Sequence, residues 1–301
     1  MTGSTQATIA VATPNFAKRR ARALVGWMTE EEGVLWIAGR QIAAVPDPDH
    51  LEICRQARAV VAARQQGLDQ TNLVTPLPAE LDVHIAALRA HPLGAKVLEE
   101  AGEPALVDLR RVCATQPFVH TEDALKRVEG LTTGDWASIA ALTLPIPAPD
   151  PVPLQAIFDP VKQAHVIASP SPNLRVIAVI HNAQIQSGDG LRLTAFGFGV
   201  ALVPSYVSVA SLRGRYFLRD GYHRAYGLLS RGITHVPALV REFPNIESVK
   251  LQPGNLPQDA FLGERPPLLP DYLLNVVGVD TTAPMTTKMV VVQALEITPL
   301  G

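Results

Sequence analysis

One short stretch of the chain, Arg215–Leu229, holds the residues best suited to chemistry. A strand-like run leads into an Asp-Gly pair, Asp220 and Gly221, and a helix is predicted to begin immediately after it. The first amides of such a helix lack partners within it and lie at the positive end of its dipole, so they can bind an anion. Gly221 lets the backbone approach a phosphate closely, and His223 and Arg224 add side-chain donors. The spacing therefore predicts an anion site.

Two roles are open for several of these residues. Asp220 either caps the helix through the amides of Tyr222 or His223, or serves as a catalytic base or magnesium ligand. Tyr222 either packs against Tyr226, four residues later, or contacts a base or ribose. His223 and Arg224 favour the anion site, because the first helical turn disfavours cations unless an anion offsets the dipole.

The elements that would position this stretch are predicted to form a small mixed sheet. Composition and alternation indicate strands at Leu174–Ile180, Leu191–Leu202, Tyr206–Ala210, Arg215–Arg219 and His235–Val240. The short loop Ser211–Gly214 is typical of a hairpin, and the predicted helix covers Tyr222–Ser230.

The first half of the chain has a different pattern. From Asn15 to Ala141 it is rich in Ala, Leu, Arg and Glu, with the clearest helical spacing in Asp49–Gly67 and Pro78–Ala90. Recurring prolines in 145–153 indicate a stiff linker. We therefore expect a helical region at 1–144, the linker at 145–153, a small mixed-sheet domain at 154–250, and a proline-rich extension at 251–301 with one strand, Lys288–Leu295.

The charge distribution points to the same segment. The 301 residues carry a net charge of −2, which excludes a global basic field for nucleic acid or an anionic membrane. Residues 151–250 nevertheless hold ten basic and five acidic side chains. We therefore expect the positive electrostatic potential that attracts a phosphate-bearing ligand in this part of the chain.

Other features bear on location. The uncharged window Leu193–Leu212 has the length of a bilayer span, but its glycines, proline, hydroxyls and β-branched residues favour strands, so no membrane partner is expected. Cys54 and Cys113 match no metal or disulfide spacing, and the first 16 residues lack the pattern of a secretory signal. These features predict a cytoplasmic protein.

The strand-turn-helix resembles the signature of the ParB and sulfiredoxin superfamily, in which a Gly-x-His-Arg or Gly-x-Arg-Arg turn links a strand to a helix. Residues 216–225 match this core, and residues 203–209, 231–233 and 236–240 match the flanking segments, so the resemblance covers about residues 155–245. It implies an α+β fold with a helical amino-terminal region before a small mixed-sheet domain of this type. It also implies a nucleotide site for ATP or CTP, with Mg2+ as a companion ion, whose phosphates contact Gly221, Tyr222, His223 and Arg224.

Departures from the family pattern leave two hypotheses. Tyr222 stands where sulfiredoxins carry a reactive cysteine. The turn lacks the Glu-Arg-Arg sequence of partitioning proteins. Residues 151–241 contain no glutamate that could match the catalytic glutamate of free-serine kinases. The first hypothesis is a phosphoryl-transfer or nucleotide-hydrolysing enzyme in which Asp220, His223 and Arg224 are catalytic. The second is a non-catalytic module that binds nucleic acid such as DNA, or a protein partner through the helical half.

Overall fold

The chain mixes helices and strands in two compact units. The computed structural model describes residues 18–39, 47–147, 154–161, 163–169, 173–251, 254–285 and 288–293. The main unit contains Lys18–Pro147 and Pro204–Ala283. The ribbon unit contains the described residues of Ala148–Val203 and Pro284–Gly301. The mixture of elements confirms the expected α+β class.

The elements follow one another in chain order. The strands are β1 (Lys18–Ala23), β2 (Val74–Thr75), β3 (Glu103–Asp108), β4 (Phe118–His120), β5 (Ile157–Asp159), β6 (Ala164–Ser169), β7 (Leu174–Gln186), β8 (Arg192–Leu202), β9 (Ser208–Leu212), β10 (Arg215–Asp220), β11 (His235–Glu242), β12 (Val279–Pro284) and β13 (Lys288–Gln293). The α-helices are α1 (Glu30–Ile37), α2 (Pro48–Ala63), α3 (Asp82–Ala90), α4 (Pro92–Ala101), α5 (Thr121–Arg127), α6 (Trp136–Thr143), α7 (Tyr222–Ser230), α8 (Ile246–Val249) and α9 (Gln258–Leu262).

A five-stranded sheet forms the centre of the main unit, in the order β10-β9-β11-β3-β2. Strands β9 and β11 pair in parallel, and the other neighbours are antiparallel. In β11, Val236, Ala238 and Leu239 are fully buried. This run, which contains no Asp, Glu, Lys or Arg from His235 to Val240, suits a strand with a partner on each side.

The helices bury their apolar stripes against the main core. In α2, Asp47 caps the first turn, Pro48 stands at its first position, and Cys54, Ala57 and Val61 are buried at helical spacing. A second, three-stranded sheet has the order β12-β1-β4. Strand β4 ends at His120, so α5 starts directly from this sheet.

Helices α5 and α7 approach each other closely at a glycine. A Cβ placed on Gly227 would lie 2.5 Å from the carbonyl oxygen of Ala124, so a larger residue would separate the two helices. This contact brings the start of α5, which follows His120, near the start of α7. Two sequence segments about a hundred residues apart thereby contribute to one end of α7.

The structure corrects the expected division of the chain. The segment expected to be helical contains β1 to β4, and β3 pairs with β11. The domain expected at 154–250 is divided between Val203 and Pro204. Strand β11 needs β3 as a neighbour, and local periodicity does not reveal such long-range pairing. Of the expected linker, residues 148–153 lie outside the described residues.

The expected carboxy-terminal extension also belongs largely to the main unit. Phe261 and Tyr272 are almost fully buried there. Prolines in this segment separate short helical turns that pack on the core. Strand β13 agrees with the expected strand Lys288–Leu295 as far as Gln293, and the residues after it lie outside the described part of the chain.

The ribbon unit consists of two small sheets. One has the order β13-β6-β5, with antiparallel pairs, and the other is the antiparallel hairpin β7-β8. The uncharged window Leu193–Leu212 forms β8 and β9, as its composition predicted. Within the described ranges, no helix is both long and apolar enough to cross a membrane.

Candidate functional site

The turn between β10 and α7 has the geometry that the sequence predicted. Gly221 precedes the helix with φ 98°, in the left-handed region that favours glycine. A Cβ at this position would also lie 2.9 Å from Cγ2 of Val207. The turn therefore requires glycine both for its backbone conformation and for the close contact with Val207.

The first turn of α7 lacks a side-chain cap from Gly221, the residue that precedes it. The amide of Ala225 donates to the carbonyl of Gly221 at 2.9 Å, so regular helical bonding starts there. Asp220 is exposed, and its carboxylate accepts from the amide of Gly221 at 2.7 Å. The expected cap on Tyr222 or His223 is therefore replaced by a contact one residue earlier. No acidic side chain lies in the first helical turn.

The side chain of Tyr222 is directed into the interior and away from a ligand at the turn. Its hydroxyl accepts from the amide of Thr115 at 2.8 Å and donates to the carbonyl of Leu218. It also shares a hydrogen bond of 2.8 Å with the hydroxyl of Thr115. Burial raises the pKa of Tyr222 well above its usual range. In this conformation the side chain is not placed for the expected contact with a base or ribose.

The guanidinium of Arg224 is also turned inward. Arg224 is 4% exposed and donates to the carbonyls of Leu142, at 3.1 Å, and of Ser205. It donates further to Oγ of Ser205 at 3.0 Å. Burial lowers the pKa of Arg224 to about 10. The expected phosphate contact and catalytic role do not match this position, because the side chain ties the end of α6 to the segment before β9.

His223 remains at the end of the helix. It is partly buried, and its ring stacks on that of His120 with centroids 5.6 Å apart and planes 13° from parallel. Burial lowers the pKa of His223 most, and His120, Arg127 and Arg224 add to the shift while Asp123 opposes it, so that the pKa falls to about 4. His223 is therefore neutral at pH 7, in surroundings that disfavour a further positive charge.

The sequence analysis missed His120 and Arg127. His120 ends β4 and belongs to a row of rings in which Trp36 and Phe118 are 4.5 Å apart and Phe118 and His120 are 5.3 Å apart. Phe118 and His120 are two residues apart on a short strand, and this spacing alone predicts that their side chains lie on the same face. Their position beside α7 depends on long-range packing and had no local signal.

The carboxylates near the turn do not form a protein-held magnesium site. Asp220 accepts from Gly221, and Asp123 is ion-paired with Arg19. Among the residues that the structure describes, no group of three or more His, Cys, Asp or Glu side chains is arranged to hold a metal ion.

Comparisons of the chain with protein-family models, with curated proteins and with solved structures found no match. The candidate site consequently rests on its own geometry. Asp220, Gly221 and His223 meet at the start of α7, together with the first backbone amides of the helix. The side chains of Tyr222 and Arg224 support the turn from within.

Proposed function

We propose that this protein binds the phosphates of a nucleotide at the start of α7. The observation that carries the proposal is the neutral imidazole of His223, held among His120, Arg127 and Arg224 at a helix end without a side-chain cap from the preceding residue. A bound anion would offset both the helix dipole and the surrounding positive charge. Gly221 is buried against Val207, so a phosphate would approach the helix end on the side of the half-buried His223.

The two kinds of donor have separate roles in this proposal. The amides of the first turn bind phosphate oxygens on the side of the half-buried His223. His223 donates from its ring, and the exposed Arg127 on α5 supplies long-range attraction. Arg224 acts through the fold, because its guanidinium bonds hold the loop beside the turn.

Binding without turnover agrees best with these contacts. A catalytic base needs a carboxylate or imidazole free to take a proton from the attacking group. Asp123 is paired with Arg19, Asp220 is bonded to the backbone of its own turn, and the lowered pKa of His223, about 4, makes its neutral imidazole a weak base. The resemblance to ParB-like proteins supports ATP or CTP as the ligand, and the site supports a nucleotide-binding module in preference to an enzyme.

Isothermal titration calorimetry with ATP, CTP and inorganic tripolyphosphate would test the proposal on the full chain. We expect wild-type protein to bind at least one nucleotide and His223→Gln to weaken binding by roughly 10-fold, since a hydrogen bond to a charged group contributes about 1.5 kcal/mol or more. Arg127→Gln removes only a long-range attraction and should weaken binding by a smaller factor. Arg231→Gln, at the opposite end of α7, is the matched control and should bind like wild type.

Two results would overturn the proposal. One is the absence of heat with every nucleotide and with tripolyphosphate. The other is wild-type affinity in both the His223 and the Arg127 variants, which would move binding away from the start of α7. If tripolyphosphate binds as tightly as ATP and CTP, the site recognises only the phosphate groups of the nucleotide.

A further inference from the structure

The hairpin of β7 and β8 exposes an unusual number of large apolar side chains. In the described part of the chain it pairs with no other strand. Its exposed apolar residues on the two strands are Val176, Ile177, Val179, Ile180, Ile185, Leu193, Phe196 and Phe198. Monomeric proteins rarely expose a contiguous apolar patch of this kind without using it for contact.

One face of the hairpin, which we call the aromatic face, is bulky. Val179 lies directly opposite Phe198 and Val176 opposite Val200, and opposed residues of an antiparallel pair share a face. Phe196 is 62% exposed, and its ring lies 5.3 Å from that of Phe198. The two rings form a ridge near the middle of β8.

The opposite face, which we call the smooth face, is lined on β8 by small residues. Ile180 lies opposite Gly197, and a Cβ on Gly197 would be 3.9 Å from Cδ1 of Ile180. Gly199 lies opposite Ala178, and Ala195 opposite Ala183. The two faces therefore differ in shape, although both are apolar.

The composition of the hairpin restricts the chemistry of a partner. The hairpin carries Arg175 and Arg192 only at the ends of its strands, and 176–186 and 193–202 contain no Asp, Glu, Lys or Arg, so the middle of each face offers a charged surface no complementary group. A lipid interior is also unfavourable, because both outer edges of a two-stranded ribbon present unpaired backbone groups. A two-stranded hairpin alone is marginally stable in water, whereas a second apolar layer stabilises it.

We propose that the aromatic face binds the same face of a second copy of this chain. Phe196 and Phe198 flank Gly197, the midpoint of β8, so a two-fold axis at this point brings four phenyl rings together. Gln184 and Thr194, which share a hydrogen bond at 3.1 Å, supply a polar margin on the same face. Aromatic residues at the centre with polar groups around them are typical of protein interfaces.

The size of this face sets the expected strength of the dimer. Eleven residues in β8, at about 3.3 Å per residue, make the face roughly 36 Å long, and two strands make it about 10 Å wide. Stacking therefore covers on the order of 400 Å2 of each copy, about half of the ~800 Å2 per partner of a standard stable complex. We expect a reversible dimer that dissociates on dilution.

Sedimentation velocity on the full chain, over a dilution series from high to low micromolar protein, would test this interface. We expect wild type to move from dimer to monomer on dilution. The paired substitution Phe196→Thr with Phe198→Thr should leave only monomer across the series. Threonine is β-branched and, like phenylalanine, favours strands, so the far-UV circular dichroism spectrum should be unchanged.

The matched control changes the smooth face. Ile180→Thr with Leu193→Thr removes two side chains that are 47% and 42% exposed and should leave the wild-type dimer intact. The proposal is overturned if wild type is monomeric throughout, if the aromatic-face variant still dimerises, or if both pairs abolish the dimer equally. Co-sedimentation of monomer with neutral lipid vesicles would identify a membrane as the occupant and would also overturn it.

Discussion

The imidazole rings of His120 and His223 lie stacked, 5.6 Å apart between centroids and 13° from parallel. One ring comes from the end of β4 and the other from the first turn of α7. Because two positive charges at this separation repel each other, a proton on one ring makes a proton on the other less favourable. The pair, together with the charge of Arg127, therefore makes protonation at this helix end unfavourable.

Acid should destabilise the protein through His223. Its pKa is about 4 in the folded chain, against about 6.5 for an ordinary histidine, so between these values the unfolded state binds more protons. The stabilisation is complete above about pH 6.5 and is lost as pH falls towards 4, by roughly 3 kcal/mol at most. Urea unfolding at a series of pH values should show a smaller loss in His223→Gln than in wild type.

The matched control for this pH series is His165→Gln, at an exposed histidine. It should follow the wild-type profile. Identical profiles for wild type and His223→Gln would contradict the assignment of His223 as a neutral, partly buried imidazole with a lowered pKa. Saturating nucleotide should also reduce the loss in wild type, because a bound phosphate favours the protonated ring.

Alanine should be poorly tolerated at Gly221. The residue combines φ 98° with a Cβ position 2.9 Å from Val207, and a non-glycine residue in the left-handed region costs about 1–3 kcal/mol before any clash. Gly214→Ala is the control, since Gly214 has φ 78° but no heavy atom within 4 Å of its Cβ position. Chemical denaturation should therefore show a larger loss for Gly221→Ala than for Gly214→Ala.

Removing Arg224 should weaken the fold as well as any binding. Arg224→Ala leaves the carbonyls of Leu142 and Ser205 without their charged donor and opens a buried space, which should cost roughly 3–5 kcal/mol. Arg231→Ala, whose side chain bonds Leu131 at an exposed position, should cost less than about 1 kcal/mol. Equal melting temperatures for the two variants would contradict the supporting role of Arg224.

Two buried tyrosines should respond oppositely to loss of their hydroxyls. Tyr222→Phe removes the bonds to Thr115 and Leu218 and should cost about 1–3 kcal/mol. The hydroxyl of Tyr206 has no hydrogen-bond partner among the described residues, and burial raises its pKa to about 12. Tyr206→Phe should therefore be neutral or stabilising in thermal unfolding. Destabilisation by Tyr206→Phe would point to a bound water or ligand at that hydroxyl.

Local signals were enough to predict the turn and its helix. Helix α7 begins at Tyr222 and ends at Ser230, as predicted, because Gly221 and the Arg231–Gly232 pair mark its ends in the sequence itself. The direction of Arg224 could not be predicted in this way. Its partners, Leu142 and Ser205, come from distant segments whose approach depends on the assembled core.

The same limit explains the errors in domain organisation. The change from helical to strand-like composition near residue 145 is real, but β3 returns to pair with β11 across that boundary. The pairing is driven by burial of both strands, and composition averaged over a window does not report it. His120 was missed for the same reason, since only the packing of α5 on α7 brings it to His223.

The segment that separates Pro147 from Pro204 leaves and re-enters the main unit at almost the same place. The amide of Val207 donates to the carbonyl of Thr143 at 2.8 Å, and Arg224 bonds both Leu142 and Ser205. The main unit therefore holds residues 142–143 beside residues 205–207 through its own hydrogen bonds. We expect a change in the length of the segment between them to leave the pairing of the five-stranded sheet in place.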